Sequence, residues 1–180
     1  MKRLLIVVLV TAAPIFAQTM PAPAGLKDAL VKHWQRTAEL TIAVAEAMPE
    51  NGYVFKPNPE EMSFGQQMAH IATANIGACA AARGEKAELP AKIQEWAKDQ
   101  NNVPIDKATA IPFLKDAFAL CKKTVEAITV DQLGETIGTG ARQQTKFELL
   151  WSYFTHTAHH RGQAEVYLRL KGITPPPYVF

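Results

Sequence analysis

Five histidines carry the chemistry that this sequence could perform: His33, His70, His156, His159 and His160. Spacing matters more than number. His156 and His160 are four residues apart, so on a helix their rings project from one face, one turn above the other. Two imidazoles placed this way can reach a single metal ion. The face they share reads Leu149, Tyr153, His156, His160, Gln163, Tyr167. That is an inward stripe, and a buried imidazole needs a hydrogen-bond partner or a metal. His70 falls on the inward face of an earlier helical stretch, with Gln66, Gln67, Thr73 and Ala74 as helical neighbours. Three neutral imidazoles from two helices would give a divalent ion three ligands and leave one position open, as catalytic sites do. Such an ion keeps its full charge, so it can lower the pKa of a bound water or thiol and polarise a carbonyl. The competing reading is three core histidines satisfied by Tyr, Thr or Gln, and spacing alone leaves both open. His159 lies about 100° around the helix from His160 and is expected at the surface or a subunit contact. His33, just before Trp34, is expected on a helix surface.

The residues that are missing narrow the chemistry. Position 157 is Thr, which excludes the HExxH zinc-protease motif and its built-in glutamate base. Positions 67, 153 and 157 are Gln, Tyr and Thr, so no Glu-x-x-His pair of the di-iron bundle type is present. Ser63 and Ser152 are the only serines, and Ser63 serves better as a helix cap than as a nucleophile. No glycine-rich phosphate loop follows a strand.

The elements that must position the histidines read as helices. Leu26, Leu30, Trp34, Ala38, Ile42, Ala45 and Met48 make one stripe at helical spacing, stopped by Pro49 and Asn51-Gly52. Residues 53–62 contain Pro57 and Pro59 and read as an ordered crossing loop. Ser63-Phe64-Gly65-Gln66 fits a capping box that opens a second helix, ending at Gly84. Pro90 to Lys98 reads as a short helix inside a long connection. A third long helix runs from near Asp106 to Ile128, with Pro112 as its weak point and a candidate for the true first turn. Residues 129–144 hold Gly134, Gly138 and Gly140 and read as a loop or hairpin-like excursion. Thr145-Lys146-Phe147-Glu148 is a second capping box, and Gly172 before Pro175-Pro176-Pro177 closes the last helix. No stretch alternates strongly enough to make a sheet. Four long helices imply an all-α, four-helix bundle with at least one long crossover connection.

The first residues read as an address. Met1-Lys2-Arg3 is a short positive segment, Leu4 to Val10 is apolar, and Ala17 offers a small residue at a cleavage point. This is the layout of a secretory signal peptide over residues 1–17, and the apolar run is too short for a stable membrane anchor. Residues 18–25 read as a flexible leader, and residues 26–177 as the bundle domain. The expected location is therefore periplasmic or secreted. Without Lys2 and Arg3 the chain carries 17 basic and 17 acidic residues. A neutral domain has no bulk charge to condense on nucleic acid or an anionic membrane, which removes both as expected partners. A small-molecule substrate is expected, and a homodimer is left open. Cys79 and Cys121, the only cysteines, both fall in apolar helical stretches. They read as two small buried side chains in preference to a bridge, although export permits one.

His70, then His156-Thr157-Ala158-His159-His160-Arg161-Gly162-Gln163, then the exit Gly172-Ile173-Thr174-Pro175 resemble the DinB-like (DinB/YfiT) family of metalloenzymes. Phe55-Lys56-Pro57 and Met62-Ser63-Phe64-Gly65 fit the same pattern. The resemblance covers residues 26–177 and is most specific in the His-x-x-x-His-Arg-Gly-Gln string. It implies an up-down-down-up bundle with His70, His156 and His160 as ligands of one divalent metal, zinc or nickel. It also implies a metal-dependent enzyme, because characterised relatives include thiol-dependent S-transferases and a maleylpyruvate isomerase. Hydrolysis and thiol transfer are both open, and an exported location favours hydrolysis because low-molecular-weight thiols are mainly cytoplasmic. The alternative is a non-catalytic, metal-binding or stress-associated helical-bundle module. Arg161 is expected to anchor the helix surface or a neighbouring loop, and Gly162 to permit close packing.

Overall fold

The computed structural model describes residues 25–100 and 102–178. The expected signal peptide, and all of the leader except Gly25, lie outside the described residues. Six α-helices follow in order: α1 (Leu26–Ala47), α2 (Phe64–Arg83), α3 (Ala91–Lys98), α4 (Lys107–Ala127), α5 (Val130–Leu133) and α6 (Lys146–Leu170). A two-residue ribbon precedes α6, with β1 (Thr136–Ile137) antiparallel to β2 (Gln144–Thr145) and Thr136 opposite Thr145. This is the hairpin-like excursion expected for 129–144. The fold is all-α, as the periodicity requires.

Both capping boxes form. The Ser63 hydroxyl accepts from the Gln66 amide while the Ser63 amide donates to the Gln66 side chain, and Thr145 and Glu148 do the same. Each satisfies two amides that a helix start leaves unpaired. Asp106 caps α4, accepting from the Thr109 amide, so the helix starts at Lys107 and Pro112 lies inside it. The proline is therefore not the first turn.

Side-chain contacts fix the direction of each long helix. Lys107, at the start of α4, donates to the Glu46 and Met48 carbonyls at the end of α1, so these helices are antiparallel. Gly65 and Ile105 meet at the starts of α2 and α4, and Cys79 and Cys121 meet near their ends, so those two run parallel. Gln67 reaches Gln163 and Asn75 reaches Thr157, which makes α6 antiparallel to α2. The order is up-down-down-up. Two parallel neighbours, α2 and α4, need a long return, and residues 84–106 with α3 supply it. Gln66 tethers that crossover, its side-chain amide donating to the Gln100 and Val103 carbonyls.

Fourteen of the 20 residues of α2 are buried, which makes it the central helix. Its small residues let neighbours approach. A Cβ on Gly65 would sit 1.9 Å from the Ile105 carbonyl oxygen, so only glycine fits there.

Two expectations need correction. The buried residues of α1 are Leu30, Trp34, Thr37, Leu40, Thr41, Val44 and Ala45, followed by Met48 at its end; Leu30, Trp34, Ala45 and Met48 of the expected stripe are among them, whereas Ala38 and Ile42 are only half-buried. Two threonines on the buried face disguised it. Their hydroxyls are buried because Thr41 donates to the Thr37 carbonyl and Thr37 accepts from Arg161. The cysteines are also bridged: Cys79 and Cys121, both fully buried, form a disulfide between α2 and α4 with Cα atoms 5.2 Å apart. Each lies on the face its helix turns to the other. Helical periodicity gives each face but not which helix lies against it.

Candidate metal centre

The antiparallel contact of α2 with α6 brings His70, His156 and His160 together. Ring centroids of His70 and His156 both lie 4.4 Å from His160, and those of His70 and His156 are 5.0 Å apart. One ligand nitrogen from each ring lies within 4.8 Å of the others, and all three rings are half-buried. The cluster is thus held by packing on one side and open on the other.

Hydrogen bonds decide where the lone pairs point. Nδ1 of His160 lies 2.9 Å from the amide oxygen of Gln67 and 2.9 Å from that of Gln163. An amide oxygen only accepts, so Nδ1 carries the proton and the lone pair sits on Nε2. Gln67 donates in turn to the Gln163 oxygen at 3.2 Å, which closes the network. Nε2 of His70 and Nε2 of His156 face each other at 3.1 Å. Without an ion, one of these rings must donate to the other. An ion held here would take the place of that shared proton.

Electrostatics favour the neutral forms that a metal requires. Burial lowers the pKa of His70. Burial, then the neighbouring His70 and His159 rings, lower that of His156. His160 is pulled down to about 4, by burial first and then by His70 and His156. Tetrahedral coordination at ~2.0–2.1 Å sets ligand nitrogens roughly 3.4 Å apart, so small ring rotations bring the cluster to that geometry. His156 Nδ1 is buried without a hydrogen-bond partner. In the tautomer that frees Nε2 for an ion, Nδ1 carries the proton and has no acceptor, so His156, unlike His160, is positioned by packing alone. The donor set, all imidazole, suits zinc, nickel or copper better than magnesium or calcium.

The model of the DinB superfamily matches residues 29–164. The chain belongs to that superfamily. The uncharacterized protein YjoA of Bacillus subtilis strain 168 is 28% identical over 153 residues, spanning 83% of this chain and 93% of that protein. The crystal structure of YjoA superposes with a TM-score of 0.64 at 24% identity, covering 83% of this chain and 96% of that one. A DinB-like protein from Bacillus cereus gives a TM-score of 0.69 at 21% identity, covering 84% of this chain and 97% of that one. A conserved protein from Enterococcus faecalis gives 0.66 at 20% identity, covering 81% and 96%. These likenesses establish the bundle fold for this DinB-superfamily chain.

The other residues singled out from the sequence fall as follows. His159 is exposed, accepts from the Gln163 amide at 3.3 Å and sets its ring edge-on to that of His160 at 4.9 Å, so it borders the cluster from outside. His33 is half-buried, its ring 6.0 Å from that of Phe154, and lies outside the cluster. Arg161 is not a surface anchor. It is buried, and its guanidinium donates to Thr37 Oγ1 at 2.7 Å, joining α6 to α1. Burial lowers its pKa, and Glu165 on the next turn works against that shift. Gly162 does not serve close packing, since a Cβ there would meet nothing within 4 Å.

Two buried polar contacts carry the site and were not assigned from the sequence. Gln67 and Gln163 orient His160, and their signal was available: each lies one helical turn from a histidine on the same face. Asn75 Oδ1 accepts from Thr157 Oγ1 at 3.0 Å, both fully buried. This pair fixes the register of α2 against α6 beside the histidines. Its only signal was an asparagine within an apolar stretch.

Proposed function

We propose that this DinB-superfamily protein binds one divalent metal ion, zinc or nickel, through His70, His156 and His160, and acts as an exported metal-dependent enzyme on a small substrate. The observation that carries this reading is the commitment of His160. Two glutamine oxygens hold its Nδ1 proton, which aims the Nε2 lone pair into the space shared by His70 and His156. An outer hydrogen bond of this kind is how proteins orient imidazole ligands. When bound, the ion supplies a Lewis acid for a small oxygen, sulfur or carbonyl ligand.

The chain's own residues would do the rest. The glutamine pair keeps His160 in one tautomer, and Asn75 with Thr157 holds the two helices in register. The low pKa values keep the ligands unprotonated near neutrality. The half-buried cluster leaves one side reachable by a small molecule, which supports a catalytic over a closed structural arrangement. Export rests on the sequence of residues 1–17, and the disulfide supports it, because disulfides persist chiefly in oxidising compartments.

Cobalt substitution tests the reading. Protein loaded with Co(II) should show visible absorption bands of a low-symmetry site, and these should shift when azide or a small thiol is added. Bands that ignore added ligand would favour the non-catalytic module, and no bands at all would remove the site.

A further inference from the structure

A cavity of about 310 Å³ opens between the loop after α1 and α6, and Gln163 is among its lining residues. It is lined by Pro57, Asn58, Glu61, Gln163, Val166 and Tyr167. Gln163 belongs to both places: it lines the cavity and accepts the proton of His160. The cavity therefore adjoins the cluster through a single side chain.

Its walls have a definite chemistry. Val166 is 51% exposed although it is a large aliphatic side chain. Tyr167 is held as a fixed wall, its hydroxyl donating to the Met62 carbonyl at 2.9 Å and its ring set edge-on to Phe55. Asn58 folds the loop by accepting from the Glu60 amide. Glu61 supplies the one formal charge among the lining residues, and its carboxylate is close enough to raise the pKa of Tyr167, after burial. Among the described residues no lysine or arginine lines the cavity; Lys171 lies over the Phe55 ring instead. An apolar wall built by Val166 and the nearly buried Tyr167, with one carboxylate, favours an organic cation and disfavours an anion. The volume is at the small end for a ligand pocket.

We propose that this cavity is the recognition pocket of the substrate, and that it takes a small organic ammonium: a cationic amine on a short apolar body. The apolar body covers Val166 and the ammonium sits against the Glu61 carboxylate. The remainder of the molecule is then presented past Gln163 to the histidines. This inference rests on the proposed metal site for its catalytic meaning, but the pocket itself is built by the loop and α6.

The test is a titration of isotope-labelled full-length mature protein, followed by amide NMR, with benzylamine, benzyl alcohol and benzoate. These probes share a shape and differ in charge. Benzylamine should bind about tenfold or more tightly than benzoate, as one nearby carboxylate would give. Shifts should centre on the amides of Asn58, Glu60, Glu61, Gln163, Val166 and Tyr167. Val166→Arg is on an exposed position and should fold; it should weaken benzylamine by about tenfold or more by filling the pocket and repelling the cation. Glu61→Gln should bring benzylamine and benzyl alcohol to within about threefold of each other. Benzoate binding as tightly as benzylamine, or Val166→Arg binding benzylamine like the parent, would overturn the proposal. Zinc content is measured on the same samples. Intact benzylamine binding without stoichiometric zinc would sink the metal site and leave the pocket standing, and the reverse pattern would sink the pocket alone.

Discussion

Replacing Gln67 and Gln163 by methionine, singly and together, probes how the proposed metal ligand His160 is oriented. The His160 Nδ1 proton has two acceptors, each at 2.9 Å. Either single replacement leaves one acceptor, so the tautomer survives. The double replacement leaves a buried N–H without a partner, a loss of about 1–3 kcal/mol. The ring can then move its proton to Nε2, where a metal must displace it. Outer hydrogen bonds of this kind typically contribute 10–100-fold to metal affinity. We therefore expect each single variant to weaken zinc by less than about tenfold, and the pair by about 10–100-fold, or roughly 1.4–2.7 kcal/mol. Competitive titration with a chromophoric chelator at pH 7.5 measures this, with the melting temperature of the metal-free variants as a control on folding. A double variant that binds zinc like the parent would refute the orienting role. A single variant as weak as the double would refute the shared-acceptor argument.

Three further outcomes follow from the same contacts. Cys79 and Cys121 are 42 residues apart, so opening the bridge with Cys79→Ala/Cys121→Ala should cost about 4 kcal/mol in chemical denaturation. Gly162→Ala should raise stability by about 1 kcal/mol because the position is helical and open, whereas Gly65→Ala should lower it by at least about 2 kcal/mol. Acid should destabilise the metal-free protein between about pH 6.5 and 4: the folded His160 has a pKa of about 4, so in that window the unfolded chain binds more protons. Denaturation midpoints that stay flat across that window in the parent, or that fall equally in His160→Gln, would contradict the burial of a neutral ring.

Much of the fold was legible because helices announce themselves locally. The capping boxes at Ser63 and Thr145, the breaks at Pro49 and Gly84, and the i,i+4 histidines are all short-range signals. They yielded the helices and placed His156 and His160 on one face. What stayed hidden depends on which helix lies beside which. The Cys79–Cys121 bridge, the Arg161–Thr37 bond and the Asn75–Thr157 pair each join residues more than 40 positions apart. Thr37 and Thr41 show the cost of reading polarity as exposure: a threonine whose hydroxyl bonds within the bundle is an inward residue. Arg161 makes the same point more strongly, since a guanidinium is expected at the surface and here it is buried against α1. Gly162 erred the other way, being read as a packing glycine when the close approach is at Gly65.

The central claim is that three histidines hold one ion, and metal stoichiometry tests it most directly. Tag-free mature protein, saturated with zinc and freed of excess by gel filtration, is assayed by mass spectrometry for metal per chain. The account predicts about one zinc per parent chain, near zero for His70→Ala, His156→Ala and His160→Ala, and near parent content for His33→Ala and His159→Ala. Substoichiometric zinc in the parent, or full retention in any of the three ligand variants with the fold intact by circular dichroism, would contradict it.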